Sequence, residues 1–215
     1  MDERTTGCIL RVRELTETSL IVHWLTRDLG RLATVAKGAR RPRSAFHGKL
    51  DLFYQADLSL ARSRRGDLHT LREVVLRETH PALRRDLGRL QQAAYAATLL
   101  EETTESGAPV PELFNLFTSF LSHVCTAEPS AVTTLAFEVK LLAALGLQPG
   151  SGETQGLSPG TRRSLEALGG PDWEMVSRLQ LNESQIAEAA RFLFRFLDHH
   201  VGRVPSVRAA ALGGR

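Results

Sequence analysis

The chain has 215 residues, 42% hydrophobic and 24% charged, with a formal net charge of +3. That balance suits one large or two small folded domains and argues against wholesale disorder. No apolar run approaches the roughly 20 residues of a membrane-spanning helix, and Met1-Asp2-Glu3-Arg4 lacks a signal-peptide pattern, so a cytoplasmic protein is expected.

Residues 1–80 read as β-structure. Cys8, Leu10 and Val12 fall on one face by the period of two, which predicts a strand with those three facing the core. Ser19 to Thr26 is apolar on both faces and rich in β-branched residues, as in a strand covered on both sides. Asp28-Leu29-Gly30 makes a turn in which glycine permits positive φ, and Arg31 to Lys37 returns as its partner. Ala56, Leu58 and Leu60 alternate with Asp57 and Ser59 in a further strand. Arg65-Gly66-Asp67 is a turn, and Leu68 to Leu76 a last strand. Five short strands with tight turns imply a small closed barrel, which leaves no exposed sheet edge.

From Pro81 the period lengthens. Leu83, Leu87, Leu90, Ala94, Ala97 and Leu100 predict an amphipathic helix running to about Gly107. Pro111 opens a second, striped by Leu113, Phe114, Phe117, Phe120, Leu121 and Val124. Ser130 caps a third that is apolar almost all round and ends at Gly146. Gln148 to Pro159, rich in glycine, is a loop. Ser158-Pro159 starts a short helix to about Leu168. Asn182 with Gln185 forms a capping box for a long helix, Glu183 to Val201, carrying Ile186, Ala190, Leu193, Phe194 and Leu197 inward. Strands then helices, without alternation, make a two-domain α+β chain: a barrel over 1–80 and a helical bundle over 81–215.

The chain lacks the patterns of catalysis. It has no phosphate-binding glycine loop, HExxH, CxxC or nucleophile elbow. His199 and His200 are adjacent and so diverge by about 100° on a helix, which suits a solvated helix end better than a metal site. Cys8 and Cys125 read as core residues and cannot supply a four-thiolate zinc site. No cofactor, no metal and no enzymatic activity are expected.

Charge marks the remaining candidate. Residues 1–80 carry 15 Lys+Arg against 10 Asp+Glu, whereas 81–215 carry 12 against 14. The segment Ala36-Lys37-Gly38-Ala39-Arg40-Arg41-Pro42-Arg43-Ser44 concentrates four cations just after a barrel strand. Guanidinium groups bind phosphate oxygens in bidentate fashion, and glycine lets the backbone approach a phosphate. With Arg11, Arg13, Arg31 and Lys49, the cations Lys37, Arg40, Arg41 and Arg43 form the candidate nucleic-acid-binding set. Few ring faces accompany them, so contacts to phosphate rather than to bases are expected.

The chain resembles the bacterial recombination mediator family RecO. The resemblance rests on Glu17 to Val22, Leu25 to Leu32, Ala36 to Ser44 and Gly66-Asp67-Leu68, and on Lys140-Leu141-Leu142 and Leu145-Gly146-Leu147-Gln148-Pro149. It implies an N-terminal OB-fold followed by a helical domain. It further implies binding of single- and double-stranded DNA, annealing of complementary strands, and loading of RecA with RecR on strands coated by single-strand-binding protein (SSB). RecF is a further implied partner. The SSB tail would bind the helical half, and Lys140, Arg191 and Arg195 are the candidates to receive its carboxylates. Many relatives carry a four-cysteine zinc module after the Leu-Gly-Leu-x-Pro helix end. Here cysteine-free Gly150 to Gly156, within the loop near 148–158, takes that place. The alternative reading is an RNA-binding or ribosome-associated OB protein using the same basic loop.

Overall fold

In a computed structural model, residues 2–64 and 66–213 are described. Arg65, expected in a turn, lies outside them. The strands β1 (Asp2–Glu14), β2 (Leu20–Thr26), β3 (Gly30–Ala36), β4 (Gln55–Ala61) and β5 (Leu68–Glu78) close a barrel in the order β1-β2-β3-β5-β4. All pairings are antiparallel except β3 with β5. This is an OB-type barrel.

Its interior holds Val22, Trp24, Leu32, Ala36, Ala56, Leu58, Leu60, Leu71 and Val74, alternating along β2–β4 and offset on β5 by a register shift. Trp24 keeps its indole N–H satisfied by donating to Thr34 Oγ1 at 2.9 Å. The β2–β3 turn depends on Gly30, whose φ is +70° and where a Cβ would collide with the Ala108 carbonyl.

The strand β1 departs from simple alternation. Its register shifts between Ile9 and Arg11, a bulge that places Ile9 and Val12, three residues apart, in the same core. The expected inward set of Cys8, Leu10 and Val12 is therefore split. Cys8 and Leu10 are buried outside that core, and the Cys8 thiol points to the Phe53 carbonyl at 3.6 Å.

A 3-10 turn at Pro81–Arg84 precedes α1 (Leu87–Thr103), followed by α2 (Pro111–Thr126), α3 (Ala131–Ala144), α4 (Pro159–Leu168), α5 (Trp173–Arg178), α6 (Glu183–Val201) and α7 (Arg208–Ala211). Local signals set the helix ends. Ser130 accepts the Thr133 N–H, Ser158 the Thr161 N–H, and Asn182 and Gln185 cap each other reciprocally. Two stripes differ from expectation. In α1, Leu87 is exposed while Gln92 and Tyr95 are buried, and in α6 Phe192 and Phe196 turn inward while Phe194 stays exposed. The short helices α5 and α7 carry too few turns to show a period.

By internal packing the chain divides into two units. One is the barrel through His80 with Thr103–Thr118, and the other is Pro81–Glu102 with the chain from Ser119 onward. Arg31 explains why residues after α1 accompany the barrel. Its guanidinium donates to Thr104 Oγ1 at 3.2 Å and to Thr104 O at 2.8 Å, and its carbonyl accepts the Gly107 N–H at 2.8 Å.

Candidate nucleic-acid interface

The outer face of β1–β3 follows from the strand register. Arg11 pairs with His23 and His23 with Ala33, while Arg13 pairs with Ile21 and Ile21 with Val35. Cross-strand partners share a face, and their neighbours Val12, Val22 and Trp24 point into the core, so these six residues point out. Two cations thus border a half-buried aliphatic strip.

The loop after β3 continues this face. Ala39 is 7% exposed and packs into the barrel core, which anchors the loop from within. The Arg40 N–H donates to the Thr18 carbonyl at 3.0 Å and the Gly38 N–H to Ser19 Oγ at 3.3 Å. Gly38, at φ +67°, makes the reversal possible. The result is a fixed loop with exposed Lys37, Arg40, Arg41 and Arg43 around it.

These cations are not equivalent. Arg40 pairs with Glu14 at 3.0 Å. Arg13, Lys37, Arg41 and Arg43 have no ion pair among the described residues. Arg31 is occupied by Thr104, and Lys49 is half-buried with its ammonium donating to the Val74 carbonyl at 3.3 Å. The structure therefore gathers Arg11, Arg13, Lys37, Arg40, Arg41 and Arg43 on the β1–β3 face and its adjoining loop, and gives Arg31 and Lys49 bonds that hold the fold.

A cavity of about 390 Å³ lies between the β1–β2 turn and this loop, lined by Leu15, Thr16, Thr18, Ser19, Val35, Lys37, Gly38 and Arg41. Sequence reasoning offered its two cations and Gly38 for phosphate contact. Leu15 falls where strand periodicity has ended, so no pattern singled it out.

In the helical unit the three candidates separate. Arg191 and Arg195, one turn apart on α6, line a cavity of about 410 Å³ with Ala190, Phe194 and Arg208. Lys140 is absent from that lining. It is 9% exposed, donates to the Gly170 carbonyl and sits 4.9 Å above the Trp173 ring. Burial pushes its pKa down, against the opposing pull of Asp172. The Gly170 carbonyl and the Trp173 ring thus both engage its ammonium. Arg208 is the cation that the sequence did not offer, because its partner Glu138 lies 70 positions away.

The loop over Gly150 to Leu157 closes on itself. The Gly150 N–H donates to Glu153 Oε2 at 2.7 Å, the Leu157 N–H to the Thr154 carbonyl at 3.0 Å, and Thr154 and Leu157 are buried. Among the described residues no group of three or more His, Cys, Asp or Glu could hold a metal. No helix among them is long and apolar enough to cross a membrane.

Comparison with known proteins covers both units. The family described as Recombination protein O N terminal matches residues 1–80, and Recombination protein O C terminal matches 84–151 and 150–208. The DNA repair protein RecO of Anaeromyxobacter dehalogenans (strain 2CP-C) is 30% identical over 236 residues, spanning 93% of this chain and 92% of that protein. RecO of Rhodopirellula baltica is 37% identical over 141 residues, 66% of this chain and 52% of that one. RecO of Alkaliphilus metalliredigens is 36% identical over 148 residues, 68% and 59% respectively. With an OB-type barrel, a helical unit and matches along nearly its whole length, the chain belongs to the recombination protein O family of DNA repair proteins.

Proposed function

We propose that the chain is a non-catalytic recombination mediator with a nucleic-acid-binding barrel over 1–80 and a helical partner-binding domain over 81–215. It binds single- and double-stranded DNA, anneals complementary strands, and with RecR helps load RecA on strands coated by SSB. RecF is a further candidate partner, and the nucleoid is its place of work. The observation that supports this reading best is the convergence of Arg11, Arg13, Lys37, Arg40, Arg41 and Arg43 on one barrel face and a fixed loop.

Arginine–phosphate contacts read no sequence, which suits a protein that must act anywhere on a chromosome. Neutralising two backbones at once lowers the repulsion between approaching strands, and annealing then needs no general acid, base or nucleophile. For the SSB tail, an acidic peptide ending in apolar residues, the cavity beside Phe194 offers the exposed ring together with Arg191 and Arg195.

The test is fluorescence annealing of complementary strands, bare and SSB-coated, with and without RecR. Acceleration on bare strands and RecR-dependent activity on coated strands support the reading. If RNA displaces labelled single-stranded DNA at equal concentration and annealing is absent, the RNA-binding alternative replaces it.

A further inference from the structure

The geometry points to Leu15 as a base-contacting residue, seated at the edge of a one-nucleotide cup that favours single-stranded over double-stranded DNA. This inference rests on the DNA-binding reading of the barrel.

Leu15 is 44% exposed, directly after β1 and on a turn that is firmly held. Its own N–H donates to the Ser19 carbonyl at 3.0 Å, and Thr16 Oγ1 accepts the Ser19 N–H at 3.1 Å. A large aliphatic side chain exposed to water contributes little to the barrel, and a ligand that covered it would gain from its burial.

Its surroundings state what would cover it. Val35 supplies a second aliphatic surface, and Lys37 and Arg41 supply positive charge. Neither cation has an ion pair among the described residues. The Ser19 hydroxyl already accepts the Gly38 N–H, which leaves its own proton to donate. Arg41 folds across Gly38, with its Cδ 3.5 Å and its Nε 3.7 Å from where a Cβ would stand, and both residues line the cup. Phosphate, the sugar ring oxygen and an apolar base face are the three chemistries of a DNA nucleotide, and this cup answers each. Its volume of about 390 Å³ lies at the small end of ligand sites.

The outer face carries the His23 imidazole but no exposed Trp, Tyr or Phe among the described residues. Trp24 and Phe53 are buried, and Phe46 and Tyr54 pack against the barrel core. An exposed leucine is then the apolar surface that an unstacked base meets beside the basic loop. In a duplex both base faces are covered by neighbouring pairs, so Leu15 gains nothing there, whereas phosphate contacts act on both forms.

Leu15→Ser and Leu15→Phe would be compared with wild type by anisotropy on three labelled probes: a thymidine homopolymer, an abasic strand of equal length, and a duplex. Leu15→Ser should bind the thymidine strand about fivefold more weakly, a smaller effect than loss of a stacking ring, and Leu15→Phe more tightly. The abasic strand and the duplex should not distinguish the three proteins, and the salt slope should stay unchanged. Equal losses on all three probes, or unchanged thymidine affinity in both variants, would overturn the cup while leaving the phosphate reading intact. If wild type binds none of the probes, the DNA-binding reading itself fails, and the cup with it.

Discussion

Glu138 and Arg208 meet side-on inside the helical unit, with Arg208 Nε 2.6 Å from Glu138 Oε1 and Nη2 2.8 Å from Oε2. Glu138 is fully buried and also accepts the Tyr95 hydroxyl at 2.5 Å, while Arg208 donates to the Ala190 carbonyl at 3.0 Å. Burial works against the Arg208 charge, and the bonds to Glu138 outweigh it. Breaking such a pair strands a buried charge, so Glu138→Ala or Arg208→Ala should each cost about 3–5 kcal/mol in urea unfolding. The double variant Glu138→Leu with Arg208→Met should recover much of that loss. A single variant as stable as wild type would contradict this account.

The basic loop should govern salt dependence. For single strands the log–log slope is about −0.7 per phosphate neutralised, so replacing Arg40, Arg41 and Arg43 together by alanine should flatten it by about one to two units. Arg40 already shares its charge with Glu14, so Arg40→Ala alone should matter less than Arg41→Ala. Equilibrium titrations across a salt series measure both, and an unchanged slope in the folded triple variant removes the loop from the interface.

Tail binding should follow Arg191 and Arg195, not Lys140. A labelled acidic tail peptide is expected to lose about tenfold in affinity with Arg191→Ala or Arg195→Ala, as for loss of a charge-assisted bond. Lys140→Ala should lower thermal stability through the lost Gly170 and Trp173 contacts, with peptide affinity within about twofold of wild type. The reverse pattern would move the tail to α3.

His123 should make the helical unit sensitive to mild acid. Its ring stacks on Trp173 at 5.2 Å, and its Nε2 is buried with no hydrogen-bond partner among the described residues. Burial first, and the positive charge of Lys140 second, hold its pKa below the ordinary 6.5. The folded state thus prefers neutral imidazole, and the unfolded chain takes up the proton first as pH falls. The stabilisation is complete above 6.5 and is lost as pH drops from there through the lower folded value. His69 shifts the same way, chiefly through burial, and Asp57, Glu78 and Glu188 lose theirs only in the more acidic carboxylate range. His123→Phe keeps a ring against Trp173 and should therefore flatten, but not abolish, the fall in Tm between about pH 7 and pH 5.5. Parallel curves for the two proteins would exclude His123 as a source.

Zinc should be dispensable. The loop at Gly150 to Leu157 is held by its own hydrogen bonds and by buried Thr154 and Leu157. Chelator is expected to leave Tm unchanged, and elemental analysis to find well under one zinc per chain. One zinc surviving dialysis against chelator would refute this.

What the sequence determined by itself is what neighbours along the chain decide. The Asn182–Gln185 capping box, the Ser130 and Ser158 caps and the positive φ of Gly30 each involve groups within a few positions, so their spacing is sufficient signal. The barrel followed by helices was legible for the same reason, from the change in hydrophobic period. The basic loop was legible because its cations are contiguous.

Tertiary structure decided the rest, wherever a partner comes from far along the chain. One bulge in β1 moves Ile9 into the core and invalidates strict alternation. Gln92 and Tyr95 are buried because Thr134 and Glu138, about 40 positions on, satisfy their polar atoms; burial without those partners would be costly. The sequence shows Arg31 and Lys140 only as cations; the fold adds that Thr104 accepts from the Arg31 guanidinium and that Gly170 and Trp173 engage the Lys140 ammonium. A cation's identity is written in the sequence, but whether its charge remains available depends on which distant carbonyl or carboxylate the fold brings to it.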